Sequence, residues 1–147
     1  MAYNVLIVDD SQTMRKVIRK SLVLSGFKMG ECWEAGDGRQ ALDLFHSQRV
    51  DLILTDLNMP GMSGLDMVKE LQQEENFRRV PVIIITTHNN EKLLQEGSAL
   101  GIKAYIQKPF HPETIRDVTN QTMEKSHCLG PILPRFPASY KTSRPGL

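Results

Sequence analysis

Apolar residues recur along this chain in two alternating rhythms. Short runs of aliphatic and β-branched residues, at 5–8, Leu52–Thr55 and Val82–Thr86, suit strands buried on both faces. Between them the apolar positions shift to a spacing of three and four, as amphipathic helices require. The first strand, Tyr3–Val8, ends at Asp9-Asp10. A helix follows, with Ser11 or Thr13 as its cap, Met14, Val17, Ile18 and Leu22 on one face, and Gly26 as its stop. Met29–Ala35 reads as a second strand, although its alternation is untidy. Gly36-Asp37-Gly38 then makes a turn, and Ala41, Leu42 and Phe45 mark a short helix. The third strand ends at Asp56, where Asn58, Pro60 and Gly61 supply turn chemistry. Ser63 with Asp66 forms a capping box for a helix carrying Leu65, Val68 and Leu71. The fourth strand ends in Thr86-Thr87. Leu93, Leu94 and Leu100 mark the next helix, stopped by Gly101. Residues 104–106 form a short fifth strand, followed by Lys108-Pro109-Phe110. Pro112 opens a last helix with Ile115, Val118 and Met123.

Strand and helix thus alternate five times at intervals of about 20 residues, which predicts an α/β fold with a parallel sheet covered by helices on both faces. The pattern fails after residue 125. Pro131, Pro134, Pro137 and Pro145 fall among few periodic apolar positions, so residues 126–147 are expected to form a flexible tail, native or cloning-derived.

Charge refines this division. The chain of 147 residues carries a formal net charge of +1. Residues 1–125 hold 15 Lys and Arg against 17 Asp and Glu, a net −2, while Arg135, Lys141 and Arg144 make the tail basic. No basic stripe marks the folded part, so nucleic-acid binding by this chain alone is not expected. No apolar run approaches a membrane span and no export signal opens the sequence, which makes a cytoplasmic location the expectation. Cys32 and Cys128 form no CxxC pair and read as free thiols. His46, His111 and His127 lack metal-ligand spacing.

The polar residues that stop the strands carry the chemistry. Asp9 and Asp10 follow the first, Asp56 the third, Thr86 ends the fourth and Lys108 follows the fifth. In a parallel sheet these positions share the carboxyl edge, where ligands bind. Three carboxylates there at ~4.5 Å repel pairwise by roughly 4 kcal/mol at an effective dielectric near 20. An all-oxygen cluster of this kind calls for a divalent cation, and Mg²⁺ fits it best.

These stretches also occur as V-L-I-V-D-D (5–10), L-T-D-L-N-M-P-G-M-S-G (54–64), V-I-I-I-T-T (82–87) and Y-I-Q-K-P-F (105–110). In that order and spacing the chain resembles a response-regulator receiver domain of the CheY-like single-domain type, over residues 2–125. The resemblance implies a flavodoxin-like (βα)5 sheet of strand order 2-1-3-4-5 and a receiver domain spanning 1–125. It implies that Asp56 is the phosphoacceptor of two-component signal transduction. Mg²⁺, or Mn²⁺ in its place, would be held by Asp10, Asp56 and the backbone carbonyl of Asn58, with Asp9 acting largely through water. Lys108 would pair with the phosphoryl group, across a cis peptide to Pro109. Thr86 would donate its hydroxyl to the phosphoryl group, and Tyr105 would then turn inward as the switch aromatic. The donor would be a sensor histidine kinase, a phosphotransfer protein or a small acyl phosphate. The output would be a protein-binding face of helix 4, strand 5 and helix 5, around residues 91–100, Tyr105 and Ile115. The family carries out self-phosphorylation and self-dephosphorylation only, and turns over no separate substrate except the phosphodonor. Chemotaxis is the first pathway the likeness suggests.

Thr87 stands where the family usually has Ala or Gly and should crowd Asp56. With Asn58 and His88 it is expected to alter the phosphate lifetime. A phosphorelay intermediate or phosphate sink, and the receiver part of a longer transcriptional regulator, share the same chemistry and stay open. A haloacid-dehalogenase-like phosphohydrolase fits poorly, because its D-x-D pair would sit on the nucleophile's own strand.

Overall fold

A computed structural model describes residues 2–74, 77, 80–87 and 91–126. The elements run β1 (Tyr3–Val8), α1 (Gln12–Leu24), β2 (Met29–Ala35), α2 (Gly38–Ser47), β3 (Leu52–Thr55), α3 (Gly64–Leu71), β4 (Val82–Thr86), α4 (Glu91–Ala99), β5 (Ala104–Gln107) and α5 (Pro112–Ser126). The strands form one sheet of order β2-β1-β3-β4-β5, every neighbouring pair parallel. This is the flavodoxin-like arrangement that the resemblance implies. The tail beyond α5, with Cys128, and His88 lie outside the described residues.

Side chains alternate across the sheet and divide the core in two. Leu6, Val8, Ile53 and Ile84 face a cluster closed by Ala41, Leu42, Phe45, Val68 and Leu71 of α2 and α3. Val5, Ile7, Leu54 and Ile83 face the other cluster, closed by Ile18, Leu22, Ile115 and Met123 of α1 and α5. Burial on both faces explains why β3 and β4 read as unbroken apolar runs. β2 lies at the sheet edge and is only partly buried along most of its length, which accounts for its untidy alternation.

The helix starts follow local chemistry. Ser11 caps α1 by accepting from the Met14 amide, and Asp37 caps α2 by accepting from the Gln40 amide. Ser63 and Asp66 make the reciprocal capping box of α3. Each cap contributes ~1 kcal/mol. Gly26 and Gly101 stand at φ of +84° and +89°, where only glycine is unstrained, and end α1 and α4.

Three expectations need correction. Val17 is 43% exposed, and Val23 and Leu24 of the same helix are exposed as well. Val17 stands about 100° round the helix from Ile18, and the inward slot belongs instead to buried Ser21. Gly38 is the first residue of α2, not part of the turn, because the Asp37 side chain replaces the missing helical acceptor. Ile115 is fully buried and cannot form part of an exposed face. It belongs to an inward stripe continued by Thr119, Thr122 and Met123, in which two threonines hide the period from an apolar count.

Cys32 on β2 is a free thiol whose pKa burial pushes up to about 11, with Arg19 opposing and Glu34 adding to the shift. Only the thiolate reacts, so alkylation of Cys32 at pH 8 should run about a hundredfold slower than for an unperturbed thiol. Peptide-resolved iodoacetamide labelling checks this; a rate equal to that of a model thiol would contradict it.

Candidate functional site

β1 and β3 are adjacent, and their register carries past their last residues. Asp56 N donates to Val8 O of β1 at 2.9 Å, and Asp9 N likewise extends the pairing of β1 with β2 by donating to Ala35 O at 3.1 Å. The two strands therefore deliver their terminal acids side by side. One carboxylate oxygen from each of Asp9, Asp10 and Asp56 lies within 4.8 Å of the others. Asp9 is buried, Asp10 exposed and Asp56 intermediate. The cluster runs from the interior to solvent.

Lys108 closes the cluster. It follows β5, its peptide to Pro109 is cis, and its amide donates to Thr86 O at 2.9 Å. The ammonium donates to Asp9 Oδ2 at 2.9 Å and to Asp56 Oδ2 at 3.2 Å. Its side chain is 10% exposed, beside 2% for Asp9 and 12% for Asp56. Burial works against its charge, but the hydrogen bond to Asp9 and the charges of Asp56 and Asp9 outweigh it, so its pKa is raised. Among the described residues Lys108 is the cation paired with these carboxylates, and the three acids outnumber it. The donor set of the site is all oxygen apart from that lysine, which fits a hard divalent ion.

The loops around it are tightly supported. Ser11 N donates to Asp9 Oδ1 at 2.9 Å. Arg15, between Glu34 and the Asp9 carbonyl, braces the β1–α1 turn from below. A Cβ on Gly64 would lie 2.2 Å from the Asp56 carbonyl oxygen, so α3 can start this close only with glycine there. Met62 covers Gly38 in the same way, a Cβ there meeting its sulfur at 2.6 Å. Sequence reasoning missed Arg15, Glu34 and Gly64. The S-G pair that opens α3 is a visible signal for the last; nothing local marks an ion pair between α1 and β2.

The other predicted residues are placed around this centre. Thr86, buried, ends β4 on the same edge. Asn58 is exposed in the β3–α3 loop, its amide 3.4 Å from Asp56 Oδ1. Thr87 is exposed. Tyr105 stands apart, on β5 opposite Ile84, and is 3% exposed. It is already inward here, and so is not part of an exposed face.

A family model described as the response regulator receiver domain matches residues 5–120. The chain is 34% identical over 121 residues to the chemotaxis protein CheY of Pseudomonas aeruginosa, covering 82% of this chain and 96% of that one. It is 35% identical to CheY-3 of Vibrio cholerae, covering 82% and 92%. Among solved structures, Vibrio cholerae CheY4 superposes with a TM-score of 0.76 at 34% identity, covering 83% of this chain and 99% of that one. The receiver domain of AraT from Geobacillus stearothermophilus gives 0.76 at 35% identity, covering 86% and 97%.

Proposed function

This chain belongs to the response regulator receiver family of two-component signalling, and on that premise we propose that Asp56 accepts a phosphoryl group and thereby switches a protein-binding surface. The observation that carries the reading is the convergence of Asp9, Asp10 and Asp56 within 4.8 Å, with Lys108 bridging two of them. A carboxylate is a weak nucleophile, so its surroundings must supply the catalysis. Asp10, Asp56 and the Asn58 carbonyl would hold Mg²⁺, or Mn²⁺, with Asp9 contributing through water. When bound there, the ion neutralises charge developing on the phosphoryl oxygens. An Asp56 oxygen forms the new O–P bond while the P–N bond to the donor histidine, or the P–O bond to acetate, breaks. Lys108 exchanges its Asp56 contact for a phosphoryl oxygen and keeps Asp9. The Thr86 hydroxyl takes a second phosphoryl oxygen. Hydrolysis of the acyl phosphate restores Asp56. This is self-modification, and the phosphodonor is the only substrate consumed.

Residues 1–125 form the receiver unit in this reading. Thr87, which is exposed, tunes the lifetime of the phosphate together with Asn58 and His88. The donor is a histidine kinase or phosphotransfer protein, and the target docks on α4, β5 and α5. Relatives named as chemotaxis proteins make that pathway the one we propose. No described helix is long and apolar enough to cross a membrane, and we place the protein in the cytoplasm without nucleic acid as a direct partner.

Metal binding gives a test independent of phosphorylation. At about ten times its Kd, Mg²⁺ should stabilise the protein by ~1.4 kcal/mol. That is a rise in Tm of roughly 3–6 °C for a domain of this size. Asp10 is exposed, so Asp10→Asn leaves the core intact and should nearly abolish the rise. A thermal scan in which the variant keeps the full shift would remove Asp10 from the metal site. Adding beryllofluoride, which mimics the acyl phosphate, should raise Tm further only when Mg²⁺ is present; no added shift in the parent protein would count against the phosphoacceptor role.

A further inference from the structure

Glycine is the poorest helix former after proline, yet Gly97 sits inside α4 (Glu91–Ala99). Space explains it. A Cβ at position 97 would lie 2.2 Å from the Tyr105 hydroxyl oxygen, 3.3 Å from Tyr105 Cζ and 3.2 Å from Ile102 Cγ1. No real Cβ tolerates the first of these. The buried phenol of Tyr105 ends where the Gly97 side chain would begin.

The backbone prevents the helix from retreating. Gly97 O accepts from both Leu100 N and Ile102 N at 3.0 Å. Ile102 is fully buried, and Lys103 N donates to Val82 O at 3.0 Å where the chain enters β5. Gly97 and Tyr105 are therefore held on one short, tied segment. Moving α4 outward would strain the bond from Ile102 N to Gly97 O, whereas turning the phenol out leaves it intact.

We infer that Gly97 is a positioning residue that holds Tyr105 inward in the unmodified protein. This rests on the proposed phosphoryl switch and on the switch-aromatic role that the resemblance implies for Tyr105, and deepens them. Where the aromatic is already inward, a phosphoryl group at Asp56 has little population left to shift. Any side chain at 97 moves the resting state outward and enlarges the response. The glycine therefore sets the range of the switch.

Nitration of tyrosine by tetranitromethane, read peptide by peptide on the full unmodified chain, reports how far Tyr105 is exposed. Tyr105 should react slowly in the parent protein and about tenfold faster in Gly97→Ala, the size expected when a minor outward state becomes dominant. A second measurement covers the case in which that variant folds poorly. Removing the hydroxyl removes the 2.2 Å contact, so Gly97→Ala/Tyr105→Phe should recover the Tm that Gly97→Ala loses. Rapid nitration of Tyr105 in the parent would overturn the inference. So would unchanged nitration in a folded Gly97→Ala, or a Tm loss that Tyr105→Phe fails to rescue. Both measurements use unmodified protein, so they stand or fall apart from Asp56 phosphorylation.

Discussion

Asp56→Asn is expected to take up no phosphoryl group from acetyl phosphate and, in metal-free buffer, to melt above the parent protein. The first effect is chemical: a carboxamide does not form the acyl phosphate. The second is electrostatic. Asp56 shares a space of 4.8 Å with Asp9 and Asp10 and, among the described residues, gains one cation, Lys108, in return. At that range and an effective dielectric near 20, one pair of like charges costs ~3.5 kcal/mol. Two repulsions less one attraction leave about one such term. Solvent at the Asp10 side screens it, so ~1–2 kcal/mol of stabilisation is expected. Intact mass spectrometry and a thermal scan with chelator read the two effects. Loss of labelling together with a fall in Tm would mean that the acids are not in mutual repulsion.

Lys108→Met should act in the opposite direction on stability. Asp9 is nearly inaccessible, and the lysine is its charged partner at 2.9 Å. Breaking a buried pair costs 3–5 kcal/mol; with both lysine and Asp56 about a tenth exposed, ~2–4 kcal/mol is the expected loss. Saturating Mg²⁺ should recover part of it, because the cation replaces the lost charge. Phosphoryl uptake should fall about a hundredfold, the usual cost of one preorganised electrostatic contact. The pH dependence has a defined sign. The folded pKa of Lys108 is raised above the ordinary 10.5, so its stabilisation is complete below about pH 10.5 and is lost as pH rises through the folded value. Denaturant titrations above pH 10.5 should show the parent losing more stability than Lys108→Met; equal losses would contradict the pairing.

Much of this architecture could be read from the chain because local and global signals agree. β1, β2, β3 and β4 end where apolar runs give way to acid, glycine or threonine, and their bounds match the expectation. Asp9, Asp10, Asp56 and Lys108 stood out because each interrupts an apolar strand with a polar residue. What periodicity hid has a physical cause in each case. Thr119 and Thr122 are buried polar residues on an apolar face, so the inward stripe of α5 read as sparser than it is. Val17 sits beside that kind of stripe on α1, and only tertiary packing decides which neighbour turns in. The steric roles of Gly64 and Gly97 depend on atoms 8 residues away in each case, Asp56 and Tyr105, and a missing side chain announces no partner. The resting position of Tyr105 belongs to the same class.

The proposed switch rests on one bond, between a phosphoryl group and the Asp56 carboxylate. Its most direct test is to incubate the native chain with Mg²⁺ and acetyl phosphate, reduce the product with borohydride, and map it by peptide mass spectrometry. Reduction converts an aspartyl phosphate to homoserine and so marks the acceptor. Homoserine at position 56, requiring both reagents, is the predicted result. A mark on any other acid, or phosphate carried on a histidine or serine while position 56 stays unchanged, would contradict it.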